Sequence, residues 1–485
     1  MAETRFSLTR AGEIALVTID NGEDHTKPTF FSRGALESLD RVLGELERGD
    51  FAAMVLTGKP FVFAAGADIT EFPGIDAELA REGSRAGHEL FGRVRALPFP
   101  TVAAVNGACL GGGVEIALHC DARTISTAVR HFACPEVFLG ILPAWGGTQL
   151  VPKLVGPAAA VKFVVANPLR QNRMLTGPEA VELGLADRLL EPAEFVDASL
   201  AFARELLAQP LARAEPDFSE LERVLRGARA QVDDAVHGAT RAPYVALDLI
   251  EGAATWSIEE GYRREEDTIA ELLPGRQAQA SIYAFNLVEQ RTKRPPGPIA
   301  SVSPHKVEKI GIVGAGLMAR QIATLVLRRM EVPIVLRDLQ HELVEDALGD
   351  IRGEIDGLVA KGRYDEGKGR FLKSIVTGTT AYEEFADCDL VLEAVFEELA
   401  VKKEVFGELE RVGAPEAVLA TNTSSLSVTA MAADLNHPER VVGMHFFNPV
   451  ALMPLLEIVK AEQTGPEALA AAWETGKKLR KRMVV

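Results

Sequence analysis

Short apolar runs alternate with helical patterns over the first 200 residues. EIALVTID (13–20) and AMVLT (53–57) are predicted strands, and ALESLDRVLGELER between them has the apolar spacing of a helix. Next, TVAAVNGACLGG runs as a strand into a glycine-rich turn, and VEIALHC begins a helix. This alternation predicts an α/β domain over residues 1–205.

The pattern changes twice beyond residue 205. A helical, charge-rich stretch comes first, and TKRPPGPIASVSPHK (292–306) then has four prolines and no apolar periodicity. We expect a helical segment and linker over 206–305, whose helices either close a substrate site or simply pack on a core; packing is the favoured interpretation. Strands and helices resume with KIGIVGAG, PIVLRD and CDLVLEAV, which predicts a second α/β domain over 306–485.

Composition narrows the classes of function. The chain has 485 residues, of which 47% are hydrophobic and 25% charged, as in globular proteins, and its formal charge of −17 argues against nucleic-acid binding. No apolar run reaches about 18 residues and no secretory signal is evident, so we expect a cytoplasmic protein without an integral membrane segment. Scattered cysteines predict reduced thiols and no metal site; they are Cys109, Cys120, Cys134 and Cys388.

A glycine-rich turn in the second domain predicts a dinucleotide site. Gly314, Gly316 and Ala319 fit G-x-G-x-x-[G/A] between a strand and a helix, and the helix amides would face a pyrophosphate. Predicted cofactor contacts in this turn are Gly314, Gly316, Leu317, Met318 and Ala319. Asp338, 22 residues past Gly316, would accept from a ribose 2′-hydroxyl and repel a 2′-phosphate, which favours NAD over NADP. The neighbouring Arg337 weakens that preference slightly.

A second glycine-rich turn, CLGGGVEIALHC (109–120), predicts an anion-stabilising site in the first domain. The Gly112 and Ala67 amides would together bind a thioester oxygen as it becomes an enolate. Glu115 and Glu136, 21 residues apart, would form an acid/base pair that adds water to a double bond. A close-packing turn with a helix-stabilising Glu115 is the alternative. Asp68 is predicted to cap a helix.

His445 and Glu457 are candidates for alcohol oxidation. Oxidation with NAD requires a base for the hydroxyl proton, and a carboxylate behind histidine fixes its tautomer. The spacing of twelve residues alone fits equally a core histidine and a surface glutamate.

Four motifs of the second domain, GAGLMxxxIA, LVLEAVFEELAVKKEVF, TNTSS and GMHFFNPV, resemble the 3-hydroxyacyl-CoA dehydrogenase family. The resemblance implies that His445 is the base, Glu457 its partner and Ser424 a hydroxyl contact to substrate, and places Glu393 near cofactor and substrate. Two departures concern the turn: the family usually has glycine at the positions of Ala319 and Gln321. Alanine at position 319 is compatible with the motif. Gln321, beside Arg320, could alter the packing against the pyrophosphate, so the sequence does not decide whether NAD binds tightly.

The end of the sequence is a larger departure from that family. In relatives, an asparagine about fifty residues after the histidine and a C-terminal helical domain complete the site. Here the sequence ends at Val485, forty residues after His445, so we expect a truncated chain with an incomplete dehydrogenase site. The last cations are expected to be a solvated helix end; they are Lys477, Lys478, Arg480, Lys481 and Arg482.

GADITEF, AAVNGACLGGGVEIAL, CPEVFLGILPAWGG and LTGPEAVELGLAD resemble the enoyl-CoA hydratase/isomerase (crotonase) superfamily. The resemblance implies a crotonase ββα spiral fold, oxyanion-hole amides at Ala67 and Gly112, and catalytic carboxylates at Glu115 and Glu136. Retention of both glutamates favours hydratase chemistry. The gap between them is one residue longer than expected, which we interpret as a surface-loop insertion; otherwise Glu136 would be misplaced.

The two resemblances together are typical of the α-subunit family of bacterial fatty-acid oxidation complexes. That family implies hydration of trans-2-enoyl-CoA and oxidation of the product with NAD, acyl-CoA thioesters as substrates and a thiolase subunit as partner. Two alternatives stay open. The first domain acts mainly as a 3,2-enoyl-CoA isomerase or catalyses another crotonase reaction, or the chain is a non-catalytic scaffold that docks a thiolase.

Overall fold

The computed structural model describes residues 2–293 (290–293 by their main chain only), 295–297, 299 and 302–485. It divides into two compact units, Met1–Phe285 and Asn286–Val485, each described separately below. The predicted α/β class, with a crotonase-type domain before a Rossmann-type domain, is confirmed. Part of the predicted proline-rich linker, residues 294, 298, 300 and 301, lies outside the described residues.

The first unit combines nine strands with helices in the described chain. The strands are β1 (Arg5–Ala11), β2 (Ile14–Asp20), β3 (Ala53–Gly58), β4 (Phe61–Ala64), β5 (Thr101–Val105), β6 (Gly107–Leu110), β7 (Ala122–Ser126), β8 (Phe132–Ala133) and β9 (Arg188–Leu190). The helices are α1 (Arg33–Arg48), α2 (Ala77–Arg95), α3 (Gly112–Leu118), α4 (Gly147–Val161), α5 (Asn167–Leu169), α6 (Gly177–Glu182), α7 (Phe195–Ala208), α8 (Leu221–Val236), α9 (Ala242–Gly252), α10 (Ile258–Leu272) and α11 (Arg276–Lys293), the last of which crosses the division between the units.

Two sheets organise the first unit. The larger has the order β1-β2-β3-β5-β7-β9 and is parallel except for the β1–β2 hairpin. Its central strands β3, β5 and β7 are buried along their whole length, as continuous apolar runs in a sheet covered on both faces require. The smaller sheet has the order β4-β6-β8 and is also parallel. The smaller sheet carries most of the candidate site.

The helices after residue 205 pack into the first unit. Leu225 and Val232 of α8 and Ile250 of α9 belong to the same buried core as Val114 of α3. The unit therefore continues to Phe285, and the predicted helical segment 206–305 is divided between the two units. Burial of an amphipathic face explains this, since such a face is stable only against a core.

One helical stretch in the described chain, Gly147–Leu169, has the length and hydropathy of a membrane span. Its most apolar window is 61% buried inside the first unit, as in the core helix of a globular domain. A π-helical segment, Lys162–Ala166, interrupts it, and Gly156 kinks it at a φ of 78°.

The second unit is a doubly wound sheet. Its strands are β10 (Ile310–Val313), β11 (Ile334–Arg337), β12 (Val376–Thr379), β13 (Leu390–Glu393), β14 (Val418–Thr421), β15 (Val441–Phe446), β16 (Leu455–Val459) and β17 (Arg482–Val484). Its helices are α12 (Leu317–Met330), α13 (His341–Ala360), α14 (Glu366–Ser374), α15 (Leu399–Val412), α16 (Val428–Ala432) and α17 (Pro466–Lys478).

Strand order in this sheet is β12-β11-β10-β13-β14-β15-β16-β17. The first six strands are parallel and follow the 3-2-1-4-5-6 order of a dinucleotide-binding domain, with the crevice of the switch point at the carboxyl ends of β10 and β13. β16 returns antiparallel to β15, which forms a hairpin at the edge.

The prediction of a solvated helix end at the C-terminus is wrong for Lys481. Its side chain is buried, and Nζ donates to the carbonyls of Val450 and Met453, the latter at 2.6 Å. Residues 482–484 continue as β17, which pairs parallel to β16. A run of charged residues does not indicate which of them is buried. The carbonyls that accept from Lys481 lie about thirty residues earlier in the chain, so the sequence did not reveal this contact.

Candidate active sites

Three parallel strand ends meet at the first candidate site. Ala67 follows β4, Gly112 follows β6 and Glu136 follows β8, and all three line one cleft. Because the carboxyl ends of parallel strands lie at the same edge of a sheet, residues far apart in sequence converge there. A turn and coil at 127–131 connect β7 to β8, and the pairing Leu110↔Ala133 brings β8 and the following Glu136 to this edge of the sheet. The surface-loop insertion between the two glutamates stays a prediction.

Glu115 rises from the first turn of α3 and is 2% exposed. Its Oε1 accepts from the backbone N–H groups of Trp145 at 2.7 Å and Gly147 at 2.9 Å. Burial raises the pKa of Glu115 well above its ordinary value, with smaller contributions from the charges of Glu136 and Glu265, and the two amide bonds oppose that rise. The sequence offered no sign of these two amide donors.

Glu136 is half-buried, and its Oε2 is fully buried without a hydrogen-bond partner in the described chain. Burial raises its pKa to about 8, and the charge of Glu265 adds to the effect. Two buried carboxyls in one cleft do not both ionise near neutral pH. The amides at Trp145 and Gly147 favour the charged form of Glu115, whereas Glu136 Oε2 has no such donor in the described chain.

At each position of the turn 111–113, a different neighbouring group leaves no space for a side chain. A Cβ on Gly111 would lie 2.5 Å from Glu136 Oε1, one on Gly112 would lie 2.3 Å from the Trp145 ring, and one on Gly113 would lie 2.4 Å from the Ala64 carbonyl. Gly111 also has a φ of 51°, where other residues are strained. The close approach therefore brings the turn's amides against the carboxyl and the ring.

The amides of Ala67 and Gly112 have no acceptor among the described residues, so both are available to a ligand oxygen. They face a cleft of about 750 Å³, including its opening to solvent. Most of its other lining is apolar; it includes Ile69, Phe72, Ile75, Leu79, Leu139, Leu142, Trp145, Ile269 and Leu273. Ile269 lies on α10 and Leu273 directly follows it, so the helical segment closes this cleft as well as packing on the core.

Asp68 caps a short 3-10 helix, as predicted. Its Oδ1 accepts from the Thr70 N–H at 2.9 Å and the Thr70 hydroxyl at 2.6 Å. The carboxylate holds the end of the Ala67 loop.

The dinucleotide turn of the second unit has the predicted shape. Gly314 has a φ of 108°, and a Cβ there would lie 2.6 Å from the Ala394 carbonyl. Gly316 precedes α12, Ala319 is fully buried on it, and Leu317 is 62% exposed at its start. Met318 is half-buried in the same first turn. These residues fit a pyrophosphate at the amides of α12.

Asp338 lies beside this turn and is directed into it. Its Oδ2 accepts from the Ala315 N–H at 2.7 Å. Arg337 is directed elsewhere, since its Nε donates to the Thr380 carbonyl at 3.2 Å and its guanidinium lies 4.0 Å from the centre of the Tyr382 ring. Arg337 is therefore not directed toward the ribose position and does not weaken the predicted preference for NAD over NADP.

His445 and Glu457 are a cross-strand pair. The β15–β16 hairpin places them directly opposite each other, and His445 Nδ1 lies 2.8 Å from Glu457 Oε2. A hairpin explains the spacing of twelve residues, which the sequence pattern left open. The His445 ring is 16% exposed, and its other nitrogen is available to a substrate hydroxyl.

Glu393 and Ser424 lie at neighbouring strand ends but differ in role. Glu393 is fully buried, and its carboxylate is bound by Lys402 at 2.8 and 2.9 Å and by the Thr421 hydroxyl. Both carboxylate oxygens of Glu393 therefore have partners inside the fold, and its predicted place near cofactor and substrate stays a prediction. Ser424 is exposed, and its N–H donates to Glu397 at 3.0 Å. Sequence reasoning missed Glu397, which joins the loops after β13 and β14.

Arg320 and Gln321, the two departures in α12, both have partners. Arg320 Nε donates to the Ala315 carbonyl at 2.7 Å, and its guanidinium pairs with Asp350. Gln321 Nε2 donates to Asn448 Oδ1 at 3.0 Å, and its Oε1 accepts from the Val450 N–H at 2.7 Å. Gln321 therefore binds the loop that follows His445.

Groups that bind metal ions are not assembled in the described residues. No three His, Cys, Asp or Glu side chains there could hold a metal ion together. All four cysteines are free and buried.

Comparison with known families agrees with the order of the two domains. The family described as enoyl-CoA hydratase/isomerase matches residues 9–233, and the NAD-binding domain of 3-hydroxyacyl-CoA dehydrogenase matches residues 309–485. The fold and the two sites thus define a chain with an enoyl-CoA hydratase/isomerase domain followed by an NAD-binding dehydrogenase domain.

Similar proteins match the chain over nearly its whole length. The fatty acid oxidation complex subunit alpha of Shewanella amazonensis is 33% identical over 499 residues, covering 100% of this chain and 69% of that protein. The peroxisomal fatty acid beta-oxidation multifunctional protein of Oryza sativa is 32% identical over 495 residues, covering 98% and 65%. The chain belongs to this family of fatty-acid oxidation multifunctional proteins, and it spans about two thirds of the length of these relatives.

Among solved structures, (S)-3-hydroxybutyryl-CoA dehydrogenase from Ralstonia eutropha is 30% identical, with a TM-score of 0.36. The match covers 37% of this chain and 63% of that one.

Proposed function

We propose that the first unit hydrates trans-2-enoyl-CoA to 3-hydroxyacyl-CoA. The observation that supports this most is the shared cleft: Glu115, Glu136 and the amides of Ala67 and Gly112 all line it. A thioester carbonyl between the two amides would gain their hydrogen bonds as negative charge develops on its oxygen. The apolar lining suits an acyl chain.

In this proposal the two carboxyls have opposite tasks. Ionised Glu115 takes a proton from water, whose oxygen bonds to the β-carbon, while protonated Glu136 gives its proton to the α-carbon. The double bond is thereby converted into a C–OH and a C–H bond. Afterwards Glu115 holds a proton and Glu136 is ionised, and return of one proton between them restores the pair.

For the second unit we propose oxidation of the 3-hydroxyacyl product. His445 takes the hydroxyl proton at Nε2, and Glu457 at Nδ1 fixes the tautomer and stabilises the imidazolium. Ser424 would contact the substrate hydroxyl. The turn Gly314–Ala319 and Asp338 would hold NAD, which accepts the hydride when bound.

Hydration is tested by following crotonyl-CoA at the absorbance of its conjugated thioester. Wild type should consume it without NAD, and Glu136→Gln should lower the rate about 10²–10⁴-fold. Glu82→Gln, an exposed position on α2, is the control and should match wild type. Absence of hydration in the wild type would overturn the proposal. Conversion of a 3-enoyl-CoA without hydration would instead establish the isomerase alternative.

Cofactor binding is tested by titrating NADH fluorescence with this chain. Saturable binding weakened by Asp338→Ala is expected, and binding unaffected by that change would contradict the placement of the ribose at Asp338. The proposed partner is a thiolase subunit and the proposed compartment is the cytoplasm, although the plant relative is named as peroxisomal. Co-sedimentation with a thiolase, retained by Glu136→Gln, tests the partner, and loss of hydration in that variant excludes a purely scaffolding role.

A further inference from the structure

Four consecutive backbone amides at the start of α4 alternate between two buried carboxylates. Those of Trp145 and Gly147 donate to Glu115, as described above. Those of Gly146, at 2.7 Å, and Thr148, at 2.9 Å, donate to Glu265 on α10. One stretch of backbone therefore joins an acid/base residue to the helical segment beyond residue 205.

Glu265 is fully buried and has two additional hydrogen-bond partners. Thr148 Oγ1 donates to its Oε1 at 2.5 Å, and His88 Nε2 lies 2.8 Å from its Oε2. Charged carboxylates are tolerated inside a protein when several donors compensate for lost water. The four contacts supply that compensation and fix both oxygens.

The same face of α10 borders the cleft. Ile269 lies one turn after Glu265 and Leu273 one turn further, at i+4 and i+8, and both line the cleft with Glu115 and Glu136. Glu265 thus occupies the position next to the reacting groups on a helix that forms the wall of the site.

We propose that Glu265 is a positioning residue of the hydratase site, which holds the Trp145–Thr148 backbone so that alternate amides orient and stabilise ionised Glu115. This inference rests on the proposed hydratase function. Without the second carboxylate, the Gly146 and Thr148 amides would lack their acceptor, and the stretch could rotate away from Glu115. An orienting shift of about 1 Å can reduce rates about 10²-fold.

The charge of Glu265 should affect the pH dependence of hydration, which allows its positioning role to be tested. It raises the pKa of both Glu115 and Glu136, in addition to the larger effect of burial. Removal of the charge should therefore lower the pKa of the group that must be protonated, and the alkaline limb of the hydration profile should move to lower pH.

Other titratable groups around Glu265 come from three directions. His88 faces it from α2, and His88 Nδ1 and Arg85 contact the neighbouring Glu266. Tyr262 lies on α10 itself, stacked on His88 and hydrogen-bonded to His119 at the end of α3. Burial lowers the pKa of His119 to about 3, so it stays neutral and does not contribute to the profile.

The test compares hydration of crotonyl-CoA by wild type, Glu265→Gln, Glu265→Asp and the control Asp267→Asn. Asp267 is exposed on the same helix and pairs with Arg81, so its substitution removes the same charge away from the site. We expect Glu265→Gln to lower kcat about 10²-fold with KM changed only a few-fold, and to shift the alkaline limb. Glu265→Asp should lower kcat while leaving the limb in place, and Asp267→Asn should match wild type.

A wild-type kcat and pH profile in folded Glu265→Gln would overturn the proposal. If that variant does not fold, Thr148→Val decides, because it removes only the hydroxyl donor: a fall in kcat of about tenfold at unchanged KM is expected, and wild-type behaviour would overturn the proposal. Absence of hydration in the wild type would refute the hydratase function instead, so the two failures are distinguishable.

Discussion

At the residue scale, the burial of Glu136 suits its proposed role in proton transfer but reduces the stability of the fold when the carboxyl ionises. Its Oε2 is buried without a partner among the described residues, which suits the proposed proton donor but opposes ionisation. Burial raises its pKa from 4.5 to about 8. Between these values the folded chain retains a proton that the unfolded chain has released. The free energy of unfolding therefore falls as pH rises across this window.

Glu136→Gln should remove this pH dependence. We expect the variant to unfold at a higher temperature than wild type at pH 8, by about 2–4 °C for each kcal/mol recovered, and at nearly the same temperature at pH 4.5. Thermal unfolding followed by circular dichroism at both pH values is the measurement. A variant less stable than wild type at pH 8 would contradict the assigned protonation.

Asp338 offers a second residue-scale prediction. Its Oδ2 accepts the Ala315 N–H, which holds the dinucleotide turn, and Oδ1 accepts from Leu339. Asp338→Asn keeps the size and removes the charge, so NADH binding should weaken about tenfold, the value of one hydrogen bond to a charged group. Fluorescence titration measures it, with Asp346→Asn on α13 as control; equal affinities would exclude a ribose contact.

Sequence reasoning succeeded for residues whose chemistry is tied to a local pattern. Glu115 and Gly314 belong to glycine-rich turns before helices, so their position and their purpose are visible together. The amides that hold Glu115 belong to Trp145 and Gly147, and every residue except proline has such a donor. Lys402 binds the Glu393 carboxylate, and Glu397 binds Thr423 and Ser424. Both are charged residues, for which a solvated position is the usual expectation.

At the element scale, the β15–β16 hairpin positions His445, the proposed dehydrogenase base. The antiparallel register makes His445 and Glu457 direct neighbours, and the connecting loop is bound from outside by Gln321 of α12 and by Lys481. Neither contact was evident from the sequence, because each joins residues that are distant along the chain. The Gln321 contact links α12, the proposed pyrophosphate-binding helix, to the loop that follows His445.

Gln321→Ala should loosen that loop specifically. The Val450 amide loses its acceptor, so its hydrogen exchange should accelerate about tenfold or more, which corresponds to roughly 1.4 kcal/mol. Exchange measured by mass spectrometry on peptides spanning 446–454 tests this. Arg329→Ala, on the exposed side of the same helix, should leave those peptides unchanged; equal exchange in all three proteins would show that Gln321 does not restrain the loop.

At the scale of the whole molecule, the chain divides where its core does and not where its sequence pattern changes. The shift to charge-rich helices near residue 205 suggested a separate segment. Yet α8 and α9 contribute Leu225, Val232 and Ile250 to the first core, and α10 closes the cleft. Periodicity showed that these helices have an apolar face, but not which surface covers it.

Fragments of the chain test this division. A fragment of residues 1–285 should unfold cooperatively and hydrate crotonyl-CoA at a rate close to that of the whole chain. A fragment of residues 1–205 should not, since it lacks the buried faces of α8–α10 and the wall of the cleft. Circular dichroism melts and the absorbance assay on both fragments are the measurements, and an active 1–205 fragment would contradict the role given to these helices.

The alternation of amides from Trp145 to Thr148 sets a rule for how this stretch can change. Neighbouring N–H groups are directed to opposite acceptors, so inserting or deleting one residue would exchange the two sets and leave each carboxylate facing the wrong partner. Two positions of the stretch also restrict the side chain: Gly146 has a φ of 105°, and a Cβ on Gly147 would lie 2.6 Å from Pro143 Cβ. Evolution or an engineer must therefore preserve both the number of residues in this stretch and its two glycines.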